Sequence, residues 1–142
     1  MKSRILIVDD DDVMRQLFQF VLEREGYEVA EAESGEEILA RVVDFKPNLI
    51  LLDVMMPRIS GLDVCRQLKK DSRTQHVPVI IVSAYTNAVT RAEGQLAGAI
   101  DFINKPCSPY QLLDKIRAVT QPSATAPLPA APNEDAPDGP KA

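Results

Sequence analysis

The chain has no tryptophan, one histidine and two cysteines in 142 residues, and each scarcity removes a class of chemistry. Cys65 and Cys107 form no CxxC or metal-ligand spacing and read as free thiols of a reducing compartment. His76, in the loop before Val77-Pro78, has no acidic or cysteine neighbours and reads as a surface residue. Long apolar runs are also missing. The longest, Leu49 to Leu52 and Val77 to Val82 with its Pro78, fall far short of the roughly 20 residues that span a bilayer. The opening "MKSRILIVDDDD" sets only four apolar residues before four aspartates, so it holds no secretory core. A cytoplasmic protein with no membrane contact is expected. Basic charge is in deficit as well, with 16 Lys and Arg against 21 Asp and Glu, so no surface suits a phosphate backbone and direct nucleic-acid binding is not expected.

What is present fits one globular domain, since 45% hydrophobic and 26% charged residues are enough for a sizeable core. The composition shifts at the end. "QPSATAPLPAAPNEDAPDGPKA" holds six of the eleven prolines and almost no large apolar side chain, so residues 121–142 read as a Pro/Ala-rich disordered tail or linker and 1–120 as the working domain. Within 1–120, β-branched runs alternate with helical patterns five times. The first helix offers Met14, Leu17, Phe18 and Val21 at i, i+3, i+4, i+7, and the last offers Leu112, Ile116 and Val119. Strands at Ile5 to Val8, Leu49 to Leu52 and Val79 to Val82 are apolar on both faces, as a parallel sheet covered on both sides requires. Gly26 is the expected C′ residue of the first helix, and Ser34 with Glu37 the capping box of the second. The predicted fold is α/β, a doubly wound (βα)5 sandwich.

Such sheets bind ligands beyond the carboxyl ends of their strands, where strand order reverses. The residues there form a coherent set: Asp9 and Asp10 after strand one, Asp53 ending strand three, Ser83 ending strand four, and Lys105 with Pro106 after strand five. Three like charges in one pocket raise one another's pKa unless a cation neutralises them. All the donors are hard oxygens, without imidazole or thiolate, which favours Mg2+ or Mn2+ over Zn2+. Metal and ammonium together suit the equatorial oxygens of a phosphoryl group under attack by a carboxylate. Asp53, at the end of the central strand, is the best-placed nucleophile. Ser83 can then donate a hydrogen bond to the acyl phosphate.

At these residues the sequence resembles the receiver (CheY-like) domain of two-component response regulators: an acidic pair after strand one, the acceptor in "LLDVMMPRISG", a hydroxyl, and Lys-Pro. The resemblance covers residues 3–119. It implies a flavodoxin-like parallel five-stranded sheet in the order 2-1-3-4-5. It makes Asp53 the phosphorylated residue, places the metal at Asp9, Asp10, Asp53 and the Met55 carbonyl, and makes Ser83 and Lys105 the phosphate contacts. Ala84 becomes the small residue after the hydroxyl and Phe102 the switch aromatic, three positions before the lysine. A cis Lys105-Pro106 bond is implied too, against about 5% for X-Pro bonds at large. The implied partners are a sensor histidine kinase or phosphotransfer protein, docking near the first helix, and an effector or second copy at the surface of helix four, strand five and helix five. Three departures stand out. Met55 and Tyr85 can crowd a hydrolytic water, so slow to moderate autodephosphorylation is expected. Cys107 replaces the Phe that often follows Lys-Pro.

Several charges have plainer readings. Asp11 and Asp12 read as N-cap and first-turn acids, and Glu36, Glu37, Lys69 and Lys70 as solvated helix faces. A haloacid-dehalogenase-like phosphatase needs a second Asp where Met55 stands, so catalytic turnover is not expected. An FMN carrier needs a Ser/Thr/Gly-rich first loop, where "DDDDVM" repels phosphate. The remaining alternative is a phosphorylation-independent receiver-like interaction module. No effector module follows residue 120, which fits a stand-alone receiver or one cut from a longer regulator within its linker.

Overall fold

Five strands, each followed by a helix, run through the computed structural model, which describes residues 3–32, 37–54, 60–84 and 87–120. Met55, Tyr85, Ser34, Glu36 and the expected tail lie outside the described residues. The elements are β1 (Arg4–Val8), α1 (Asp12–Arg24), β2 (Glu28–Ala32), α2 (Ile38–Phe45), β3 (Leu49–Asp53), α3 (Gly61–Lys70), β4 (Val79–Ser83), α4 (Ala88–Ala97), β5 (Asp101–Asn104) and α5 (Pro109–Thr120). All pairings are parallel, in the order β2-β1-β3-β4-β5, as expected. No described helix is long and apolar enough to cross a membrane.

Alternation along each strand divides the core in two. Ile5, Ile7, Leu49, Leu51, Ile80 and Val82 pack with Phe18 and Leu22 of α1 and Leu112 and Ile116 of α5. Leu6, Val8, Ile50, Leu52 and Ile81 pack on the other face with Val42 of α2, Leu68 of α3 and Ala97 of α4. Every residue of β3 and β4 is buried, which is why these strands read as unbroken apolar runs.

Helix ends follow local chemistry. Asp11 caps α1, its carboxylate accepting from the Val13 and Met14 amides, Asp12 lies in the first turn, and Gly26 follows the helix with φ of 92°. Glu37 stands at the N-cap of α2 without a side-chain cap bond.

Two expectations need correction. The inward line of α1 runs through Arg15, Phe18 and Leu22, while Met14 and Val21 are half-buried and Leu17 is 45% exposed. An apolar count could not see that a charged residue holds the innermost line. Lys69 is likewise no solvated charge. Its ammonium donates to the carbonyls of Gln75 at 3.1 Å and Val77 at 2.7 Å, and burial lowers its pKa.

Candidate functional site

Because the strands are parallel, their carboxyl ends share one edge of the sheet, and the polar residues that end the apolar runs meet there. Asp53 is the last residue of β3 and is 6% exposed; Asp9, just after β1, is 2% exposed, and Ser83, the last residue of β4, is fully buried. Asp10 is exposed at the rim. Carboxylate oxygens of Asp9, Asp10 and Asp53 lie within 4.8 Å of one another. Charges this close need a cation.

Lys105 supplies one. Its ammonium lies 2.7 Å from Asp9 Oδ2 and 3.5 Å from Asp53 Oδ2, and its amide donates to the Ser83 carbonyl at 2.9 Å, which ties the β5 exit to β4. Burial pulls the Lys105 pKa down, but the Asp9 hydrogen bond and the charges of Asp53 and Asp9 outweigh it, leaving the value raised. The ammonium stays charged. The Lys105–Pro106 peptide is cis, as the resemblance implies.

Asp9 is anchored independently: Oδ1 accepts from the Asp11 amide at 2.9 Å, and its own amide donates to the Ala32 carbonyl at 3.3 Å. On the far side of Asp53, the start of α3 presses against the strand end. A Cβ on Gly61 would sit 2.2 Å from the Asp53 carbonyl oxygen, so only glycine permits this approach. Ala84 is exposed beyond Ser83. Phe102 is buried on the α4 side, with the Arg91 guanidinium 5.2 Å from its ring centroid.

The sequence-predicted residues Asp9, Asp10, Asp53, Ser83 and Lys105 therefore lie together, whereas Phe102 lies against α4. Oxygen donors without imidazole or thiolate fit a hard divalent cation. Three residues close to these were not anticipated: Arg15, Gly61 and Gly94. Arg15 had one legible signal, a cation near the amino end of a helix, where the dipole disfavours it.

A doubly wound parallel sheet with an acidic pocket at its switch point defines a flavodoxin-like domain. Within that class, the response regulator receiver domain matches residues 5–117, and the chain belongs to this family. It is similar to the phosphate regulon transcriptional regulatory protein PhoB of Pseudomonas aeruginosa, 43% identical over 115 residues, 81% of this chain and 50% of that protein. The response regulator PleD of Caulobacter vibrioides is 40% identical over 121 residues, 85% of this chain and 27% of PleD. The chain thus spans half or less of the length of these curated relatives. Among solved structures, the Vibrio cholerae chemotaxis protein CheY4 aligns with a TM-score of 0.80 at 29% identity, covering 84% of this chain and 99% of that one. A response regulator receiver domain protein of Methanospirillum hungatei gives 0.77 at 34% identity, covering 82% and 92%.

Proposed function

We propose that Asp53 accepts a phosphoryl group from a sensor histidine kinase or phosphotransfer protein, and that this switches the surface formed by α4, β5 and α5. One observation carries the reading: three carboxylates within 4.8 Å, bridged by Lys105, at the carboxyl edge of the sheet. Asp9, Asp10, Asp53 and, from the family pattern, the Met55 carbonyl would hold Mg2+ or Mn2+, which when bound supplies positive charge for the phosphoryl oxygens. An Asp53 oxygen attacks phosphorus; the new O–P bond forms as the N–P bond of phosphohistidine breaks, the electron pair leaving with the ring nitrogen. Lys105 pairs with the transferred oxygens and Ser83 donates its hydroxyl to one of them. The domain promotes its own phosphorylation and dephosphorylation and turns over no other substrate.

A phosphoryl group adds about −1.5 to −2 charge and draws Ser83 and Ala84 inward. Phe102, seated against α4, follows. Moving such a switch from 1:99 to 99:1 takes about 5.5 kcal/mol, which several charge-assisted contacts can supply. Exposed Val89, Leu96, Ile100 and Tyr110 support effector binding or homodimerisation on this face. Exposed Val13, Leu17 and Phe20, at i, i+4, i+7 on α1, support donor docking beside the pocket. Free Cys65 and Cys107 suit the cytoplasm, and a net charge of −5 opposes direct nucleic-acid binding by this segment.

The test is phosphorylation of the purified protein by acetyl phosphate with and without Mg2+, read by intact mass for wild type and Asp53→Asn. A Mg2+-dependent gain of one phosphoryl group, absent in the variant, is expected. No gain in folded wild type would favour a phosphorylation-independent interaction module.

A further inference from the structure

We propose that Arg15 is a positioning residue for the cation-binding acids, its guanidinium locking the loop that bears Asp9 and Asp10 onto β2. This rests on the reading of Asp9, Asp10 and Asp53 as a divalent-cation site. Arg15 is only 6% exposed, and charged side chains are almost never so buried unless paired. It also lies close to the positive end of the α1 dipole, which disfavours a cation. Core packing alone does not account for a charge there.

Each nitrogen of the guanidinium that faces the loop, strand or helix has a partner there. Nη1 donates to the Asp9 carbonyl oxygen at 2.6 Å, Nε to Glu31 Oε1 of β2 at 3.1 Å, and Nη2 pairs with the Asp12 carboxylate at the start of α1. The Asp9 carbonyl belongs to the planar peptide that joins Asp9 to Asp10. Holding that oxygen restrains the orientation of the peptide plane between the two residues, and so the backbone from which both carboxylates depart. The Asp9 amide, bonded to the Ala32 carbonyl, pins the same loop to the same strand. A planar fork with five donors can bridge these groups; an ammonium acts as a point charge and cannot span them.

The experiment compares wild type, Arg15→Lys and Glu31→Gln by calorimetric titration with Mg2+, thermal melting, and backbone amide shifts of Asp9 and Asp10. Arg15→Lys, which keeps the charge and loses the fork, is expected to melt near wild type yet bind Mg2+ about tenfold more weakly, with both amide shifts displaced. Glu31→Gln, which weakens the β2 anchor alone, is expected to fall between the two. Unchanged Mg2+ affinity with a lowered melting temperature would make Arg15 merely structural and overturn the assignment. If Arg15→Lys does not fold, unchanged Mg2+ affinity in Glu31→Gln overturns it and weakened affinity supports it. Wild type without saturable Mg2+ binding would remove the cation site itself, and this assignment with it.

Discussion

Lys105 shows how a single side chain can offset the charge of an acidic pocket. Two nearly buried carboxylates, Asp9 and Asp53, would repel each other and the neighbouring Asp10, and the ammonium between them offsets that repulsion. A second charged pair sets a pH response away from the site. Arg73 donates from its side chain and its backbone amide to the Asp71 carboxylate, and these bonds hold the Asp71 pKa down at about 2. A depressed carboxyl contributes stability that is fully present above its unfolded value near ~3.9 and is lost as pH falls through the folded one. The window is therefore about pH 4 to about pH 2. Carbon-detected NMR titration should find Asp71 at about 2, and Arg73→Ala should move it up toward the ordinary carboxylate range. An unmoved titration would exclude the Arg73 bonds as the cause.

Residues that end an apolar strand were legible in the sequence for a simple reason. Asp9, Asp10, Asp53 and Ser83 each follow a run with two buried faces, so the boundary is visible and the topology does the gathering. The roles of Arg15 and Lys69 were not legible, although the place of Arg15 near the amino end of a helix was a signal in itself. Arg15 reaches positions 9, 12 and 31, and Lys69 reaches carbonyls of a turn beyond α3, so these contacts do not exist until the chain has folded. Gly61 is similar, because its need arises from a strand end that only the tertiary structure brings near.

At the scale of elements, α4 gives up helix propensity for packing. It carries Gly94 in its interior, where glycine costs about 1 kcal/mol relative to alanine. The cost has a structural return. A Cβ there would meet Phe102 Cε2 at 2.5 Å and Cζ at 2.7 Å, and Ile81 Cδ1 at 2.9 Å, so the missing side chain is the seat of the Phe102 ring. Gly94→Ala gains helix propensity yet must displace a buried aromatic ring, an overpacking of about 1–3 kcal/mol. Net destabilisation of about 1 kcal/mol is expected from urea unfolding. A stabilised variant would show that the ring moves aside freely.

The elements themselves were largely readable. α3 has the bounds of its apolar pattern, and α5 buries Leu112 and Ile116 as expected. The face of α1 was misjudged by part of a turn, since Arg15 takes an inward position that an apolar count assigns to a hydrophobe. Periodicity reads side-chain type, whereas burial also depends on whether a charge finds partners.

At the scale of the molecule, the sheet separates two tasks. One face packs α1 and α5, the other α2, α3 and α4, and the carboxyl edge between them holds the acids, the hydroxyl and the ammonium. β4 and β5 run side by side, pairing Ser83 with Asn104 and Ile81 with Phe102, so the strand that ends at the pocket is hydrogen-bonded to the one that carries Phe102 against Gly94 of α4. The direct measurement is to locate the phosphoryl group. Borohydride reduces an aspartyl phosphate to homoserine, and peptide mapping of the acetyl-phosphate-treated protein then reads its position. Homoserine at position 53, appearing only when Mg2+ is present, is the expected result; homoserine at position 9 or 10, or none in protein that remains folded and binds Mg2+, would contradict Asp53 as the acceptor.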